Sequence, residues 1–144
     1  MKFQKLLTFL FALLLITSLS SCKKDDDKGP SKRDMLTAGE WRGASVWWNG
    51  TDITNELREA EEFPFDVSQL YIKFDKVGTY LDTYSGVTDN GTWEFTQNEE
   101  SLLLDRATSF ESTVRITNLT DTEFSYIESY DTSGDSDFEF RFTR

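Results

Sequence analysis

The segment Asp137-Phe138-Glu139-Phe140-Arg141-Phe142-Thr143, near the carboxyl terminus, alternates strictly between aromatic and polar side chains. Successive side chains of a β-strand point to opposite faces, so the three phenylalanines share one face and the polar residues share the other. This period of two predicts a strand with one buried face. We therefore expect Phe138, Phe140 and Phe142 to line a hydrophobic core.

Similar aromatic-rich runs recur from Leu36 onward, separated by turn residues at spacings of about ten residues. The sequence Asp75-Lys76-Val77-Gly78 predicts a tight hairpin, and Asp89-Asn90-Gly91 predicts a second turn. In the run that begins at Phe110, we expect this side chain to point inward. The eight predicted strands cover residues 39–48, 70–74, 79–84, 92–96, 101–105, 110–116, 123–130 and 137–143.

Short loops between consecutive strands predict an all-β, up-and-down antiparallel fold, and eight such strands can close into a barrel with no free edge. One segment, residues 52–62, breaks the alternation. It places Ile53, Leu57 and Ala60 on one helical face, and Pro64 limits its extent. We therefore predict one short helix after the first strand, lying over one mouth of the barrel.

The composition excludes several classes of function. The chain has 144 residues, a net charge of −11 and no histidine. An acidic protein repels nucleic acid, so we expect no nucleic-acid partner. Histidine is the commonest general base and transition-metal ligand, and no nucleophile–base signature is present. We predict that the protein is not an enzyme and has no metal or cofactor.

Two other patterns bear on this prediction, namely carboxylate pairs and a loop that resembles a calcium site. A pair of carboxylates could hydrolyse a glycoside, but in so acidic a chain such pairs arise by chance. The segment 131–137 carries oxygen-bearing side chains at alternate positions, as a calcium loop does. It lacks the glycine and the glutamate that an EF-hand places at its sixth and twelfth positions, so we interpret it as a solvated hairpin.

The amino terminus has the pattern of a secretory signal peptide: Lys2 and Lys5, then the apolar run 6–16, then small polar residues. The apolar run is shorter than the ~20 residues that span a bilayer. Leu19-Ser20-Ser21-Cys22 resembles the bacterial lipobox. The resemblance implies cleavage before Cys22, the only cysteine, and a diacylglycerol on its sulfur that would anchor the protein to a membrane.

The residues after the cysteine, Lys23 followed by Lys24 and the acidic run 25–27, resemble the export signal of Bacteroidetes lipoproteins. This resemblance implies an outer-membrane location facing the cell exterior. Low hydrophobicity, together with Gly29 and Pro30, predicts a flexible tether. We therefore divide the chain into a signal peptide (1–21), the lipidated Cys22 with an acidic tether (22–34) and a barrel domain (35–144).

Motifs along the barrel domain resemble those of a known family. Gly39-x-Trp41 is similar to the Gly-x-Trp of lipocalins. Gly39-x-Trp41 and four further segments, taken in their order along the chain, resemble the lipocalin-like domain of Bacteroidetes lipoproteins. This resemblance implies a calycin-type barrel. It also implies that Trp41 packs at the closed end, covered by a carboxyl-terminal arginine, either Arg141 or Arg144. The other matching segments are 49–54, 74–80, 91–93 and 116–120.

The function of such a barrel depends on its remaining aromatic residues. Trp47 and Trp48 must point to opposite faces of their strand. We predict a non-catalytic binder of a small apolar or amphipathic ligand, acting as a monomer. The alternatives are plain core packing, or an accessory module that docks on a protein or glycan of a larger outer-membrane complex and has no cavity. The candidate ligand-binding residues are Trp47, Trp48, Tyr80, Tyr84 and Tyr126.

Overall fold

A computed structural model of the chain describes residues 29–129 and 137–144. Nine strands lie within these residues, and eight of them are long enough to build a barrel wall. They are β1 (Glu40–Trp48), β2 (Thr51–Asp52), β3 (Leu70–Phe74), β4 (Thr79–Tyr84), β5 (Val87–Thr96), β6 (Ser101–Leu104), β7 (Ser112–Leu119), β8 (Glu123–Ser129) and β9 (Asp137–Thr143).

Three short helices accompany the strands in the described part of the chain. Helix α1 spans Lys32–Thr37, helix α2 spans Thr54–Arg58, and a single 3₁₀ turn spans Val67–Gln69. Among the described residues, none of these helices is both long enough and apolar enough to cross a membrane. Helix α2 confirms the predicted helix after the first strand, although it is shorter than the segment 52–62.

The sheet is antiparallel throughout and closes on itself. Strands β1 and β3 to β9 pair in chain order, and β9 returns to pair with β1, with Phe142 opposite Gly43 and Phe138 opposite Trp48. The two-residue strand β2 pairs only with the upper end of β1. The fold is therefore the predicted eight-stranded up-and-down barrel, and closure leaves none of the eight long strands as a free edge.

The barrel core consists of large apolar side chains on the inner faces of the strands. Phe138, Phe140 and Phe142 all belong to this core, as their alternation predicted. Among the described residues, the buried hydrophobic side chains all lie between residues 36 and 142. They are Leu36, Trp41, Val46, Val67, Leu70, Ile72, Phe74, Trp93, Leu102, Val114, Phe124 and Phe142.

Helix α1 covers one end of the barrel, which we call the closed end. Ser31 caps the helix: its hydroxyl accepts from the backbone N–H of Asp34, and the Asp34 carboxylate accepts from the Ser31 N–H. Leu36 is fully buried beneath the helix. Because α1 begins at Lys32, the last residues of the segment that we assigned to the flexible tether are helical and pack on the barrel.

The turn predicted at Asp89-Asn90-Gly91 is wrong, because these residues lie inside β5. The hairpin turns instead at Ser85 and Gly86, whose φ values of 50° and 83° suit a two-residue turn. Gly91 has a different role. A Cβ at this position would collide with the Tyr80 ring, so glycine lets that ring lie against the strand.

The predicted inward position of Phe110 is also wrong. Strand β7 begins at Ser112, and the Phe110 side chain, in the preceding loop, is 79% exposed. The calcium-like segment 131–137 lies outside the described residues except for Asp137. Cys22 lies outside them as well.

Candidate functional site

An apolar cavity of about 390 Å³ opens at the end of the barrel opposite α1, which we call the mouth. It lies between β1, β9, α2 and the segment that leads from α2 into the barrel. All of its lining side chains among the described residues are aliphatic or aromatic, so they suit apolar matter and include no group for acid–base chemistry. The lining residues are Val46, Leu57, Phe65, Phe138 and Phe140.

The cavity lies where β1 separates from β3. Only residues Glu40–Arg42 of β1 pair with β3. Above them, the Val46 carbonyl accepts from the Ile53 N–H at 2.9 Å, and the Val46 N–H donates to the Thr54 hydroxyl at 3.0 Å. Helix α2 follows directly, and its Leu57 side chain lines the cavity.

Large side chains fill the barrel below the cavity. Phe124 and Phe142 are stacked with ring centroids 5.7 Å apart, and Phe74 meets Phe124 edge-on at 5.9 Å. The 3₁₀ turn also enters the barrel here. A Cβ at position 43 would collide with the Val67 carbonyl, so Gly43 permits this close approach. The cavity is therefore confined to the upper part of the barrel.

At the closed end, Trp41 is fully buried and donates from its indole nitrogen to the Leu36 carbonyl at 2.9 Å. The guanidinium carbon of Arg144 lies 4.2 Å from the centre of the Trp41 ring. Arg144 also donates to the Met35 carbonyl at 2.9 Å. Of the two arginines proposed from the family resemblance, Arg144 is thus the one that covers Trp41.

Arg141 instead covers Trp47 on the outer face of the barrel, at 4.0 Å from the ring centre. It donates to Glu139 at 2.7 Å, and Thr117 donates to the same carboxylate at 2.8 Å. Burial raises the pKa of Glu139, but these two hydrogen bonds outweigh it and hold the pKa below its ordinary value. Because Trp47 lies on the outer face of the barrel, it points away from the cavity.

Three of the other candidate aromatic residues contact side chains that line the cavity. The Trp48 ring stacks on Phe138, with centroids 6.5 Å apart. Tyr84 stacks on Phe65 at 5.0 Å. Tyr126 stacks on Phe140 at 5.5 Å. These residues support the lining side chains, and none of them is among the five that form the surface of the cavity.

Tyr80 lies further from the cavity, in an acidic part of the barrel. Its hydroxyl donates to Asp105 at 2.7 Å, and burial, reinforced by Asp105, raises the Tyr80 pKa well above its ordinary value. Asp82 and Asp89 are direct cross-strand partners. Burial, and next the Asp89 charge, raise the pKa of Asp82, and its Oδ1 is buried with no hydrogen-bond partner among the described residues.

Sequence reasoning missed the role of the residues that actually line the cavity. Phe138 and Phe140 were recognised as core residues, and Leu57 as part of an apolar helical face, but not as cavity walls. Phe65 was missed altogether, because it lies in an irregular segment that has no periodicity to mark it. Its position after Pro64 excludes it from the helix and says nothing about which way the side chain points.

Within the described ranges, no group of three or more histidine, cysteine, aspartate or glutamate side chains is placed to hold a metal ion. The site to be explained is therefore the apolar cavity with its aromatic support.

Comparison with known proteins adds evidence on the fold. No family model matches the sequence, and no curated protein matches it. Among solved structures, a DUF4847 family protein from Bacteroides vulgatus is similar, with a TM-score of 0.53 and 12% sequence identity. The match covers 78% of this chain and 96% of the other. At this identity the likeness shows a shared barrel fold and carries no function.

Proposed function

We propose that this protein is a non-catalytic binding module that holds a small apolar or amphipathic ligand in its mouth cavity. The observation that carries the proposal is the cavity of about 390 Å³ with its five apolar side chains. Pockets for small molecules begin at about 300 Å³ and are mostly apolar. The packed lower half of the barrel gives the cavity a solid floor.

The cavity chemistry favours binding over catalysis. A catalytic site needs a group that transfers a proton, attacks the substrate or holds a metal. None of the five lining side chains can do so, and the chain contains no histidine. Asp82 and Asp89, the two acids at the mouth, are not among the side chains that line this cavity. We therefore propose a carrier or receptor role without turnover.

We further propose that lipid on Cys22 anchors the protein to the outer membrane, facing the cell exterior. The described chain enters the barrel at its closed end, through α1. The mouth thus lies at the end of the barrel opposite the segment that leads back to Cys22. This polarity supports a receptor whose cavity faces away from its anchor.

The anchor is tested by fractionating cells that express Cys22→Ala. We expect the variant to leave the membrane fraction, because the acylated cysteine would supply the only lipid attachment. Retention in the outer-membrane fraction would contradict the proposal. Protease treatment of intact cells would then test exposure at the surface: the wild-type protein should be digested, and a variant with alanines at 25–27 should be protected.

Ligand binding is tested with N-phenyl-1-naphthylamine, whose fluorescence rises in apolar surroundings, using the chain from residue 23 to 144. Leu57→Trp should fill the cavity and weaken binding by tenfold or more, about 1.4 kcal/mol. Leu81→Trp places the same ring on the outer face, where Leu81 is 47% exposed, and should bind like the wild type. Equal affinities for the three folded proteins, or no binding by any, would contradict the proposal.

A second function, docking on a larger surface complex, is favoured by a different observation. Phe63, Val87 and Phe110 come from three segments at the mouth end and are 83%, 68% and 79% exposed. A contiguous exposed apolar patch marks an interaction surface, and we propose that these three side chains form one. Cross-linking in intact cells would test this role. A partner lost when all three residues are replaced by serine would support it, and the same partner captured by both proteins would exclude this surface.

A further inference from the structure

The Phe65 side chain stands between two cavities in the mouth. One is the apolar cavity of about 390 Å³, which Phe65 lines. The other, of about 280 Å³, is bordered by the β4–β5 hairpin. Phe65 stacks on Tyr84, which lines this second cavity, with 5.0 Å between centroids and 17° between planes. The stacked pair of Phe65 and Tyr84 thus lies where the linings of the two cavities meet, and we call this pair the partition.

Hydrogen bonds on both sides of Phe65 hold the partition in place. The Phe65 N–H donates to the Leu57 carbonyl at 2.8 Å, which ties it to α2. The next N–H, that of Asp66, donates to the Tyr84 hydroxyl at 3.1 Å, which ties it to β4. The Asp66 carboxylate accepts from the Ser68 N–H and so fixes the start of the 3₁₀ turn. The ring position is thus set by three elements of the fold.

The two cavities differ in chemistry. The first is apolar throughout, whereas the second is lined by Asp82 and Asp89 together with Tyr84, Ser85 and Val87. A ligand confined to the first cavity meets only hydrocarbon. A longer ligand would have to cross the Phe65–Tyr84 partition and place its far end beside two carboxylates.

We propose that Phe65 determines which ligands the mouth accepts, because it forms the wall of the apolar cavity on the side of the second cavity and so limits the length of the bound hydrocarbon. The proposal rests on the ligand-binding function proposed above and adds its selectivity. Removing the ring joins the two cavities into one elongated space. The preferred ligand should then become longer, while binding itself persists.

The test measures how a series of straight-chain primary alcohols, from hexanol to tetradecanol, displaces N-phenyl-1-naphthylamine from the chain 23–144. Each methylene that enters an apolar site strengthens binding by about fourfold, so affinity should rise with chain length until the cavity is full. For the wild type we expect a length beyond which affinity no longer rises. In Phe65→Ala the rise should continue for at least two further methylenes.

Val77→Ala is the control, since Val77 lies in the turn between β3 and β4 at the closed end and is 83% exposed. It should keep the wild-type length limit. If Phe65→Ala does not unfold cooperatively, Phe65→Leu replaces it and should give an intermediate limit. A folded Phe65 variant with the wild-type limit would overturn the partition and leave the proposed function standing. Absence of alcohol binding by every variant and by the wild type would overturn both.

Discussion

Two tryptophans on the same strand mark the difference between the ends of the barrel. Trp41, at the closed end, is fully buried, donates a hydrogen bond to the Leu36 carbonyl and is covered by Arg144. Trp48, at the mouth, is 44% exposed and stacks on Phe138. Both side chains point to the inner face of β1, yet only the first is enclosed on all sides.

The cause lies in how each end is covered. Helix α1 lies across the closed end and buries Leu36 in it, and its arginine Arg33 donates to the Lys76 carbonyl at 3.0 Å. Helix α2 instead begins beside β1, where the Ile53 N–H donates to the Val46 carbonyl, and its Leu57 side chain lines the apolar cavity. Among the described residues, the closed end is thus tightly packed, and the cavity lies at the other end. The comparison predicts that equivalent changes have larger effects at the closed end.

The largest expected effect is that of Trp41→Ala. Truncating a buried tryptophan leaves a cavity, and we expect the free energy of unfolding to fall by about 3–5 kcal/mol. Trp47→Ala, on the outer face of the same strand, should cost about 1 kcal/mol, chiefly its contact with Arg141. Urea denaturation of both variants measures the two values. A loss below about 1 kcal/mol for Trp41→Ala would mean that the closed end is not the stable part.

A smaller effect is expected for Arg144→Ala. It removes the cation–π contact with Trp41 and the hydrogen bond to the Met35 carbonyl, for a loss of about 1–2 kcal/mol. Arg144→Lys should recover only part of this loss, because an ammonium group lacks the planar face that lies on the indole. Arg141→Ala, the exposed counterpart on Trp47, should cost less than about 1 kcal/mol. Equal losses for the two arginines would remove the distinction between them.

The smallest effect, and one of opposite sign, is expected at the mouth for Asp82→Asn. The pKa of Asp82 is raised in the folded protein, so the folded state retains a proton that the unfolded chain has already lost. The stability linked to this group is therefore present at low pH and is lost as the pH rises through the folded pKa. Charged Asp82 thus destabilises the protein at neutral pH, and Asp82→Asn should raise the melting temperature there.

Thermal melts at about pH 7 and about pH 3 check this sign, because the advantage of Asp82→Asn should shrink at the lower pH. Glu62→Gln, an exposed acid on the segment after α2, serves as the control and should change the melting temperature at neither pH. A lower melting temperature for Asp82→Asn at neutral pH would show that the carboxylate has a stabilising partner.

The sequence predicted much of the wall of the barrel, and the reason is local. The alternation of Phe138, Phe140 and Phe142 identifies an inner face without any knowledge of its neighbours, since the period of a strand is fixed by backbone geometry. The error at Asn90-Gly91 has an equally local cause. Those residue types favour a turn, but the packing of the Tyr80 ring against Gly91 explains the glycine within a strand.

The candidate site was predicted only in part. Trp48, Tyr84 and Tyr126 were predicted from their aromatic character, and they contact side chains that line the cavity. Phe65, which lines it, was not found. An aromatic side chain on a strand has a direction that its neighbours in sequence reveal. A side chain in an irregular segment takes its direction from contacts with distant residues, here Tyr84 and Phe140.

By itself, the sequence determined the all-β class, the number of long strands, the inner face of the last strand and the short helix after the first. These follow from side-chain periodicity and turn chemistry, which act over a few residues. Only the tertiary structure decided that Arg144 rather than Arg141 covers Trp41, that α1 closes one end, and that the other end holds a cavity. Each of these depends on where segments far apart in the chain meet, and an empty volume is a property of that packing, which no single stretch of residues encodes.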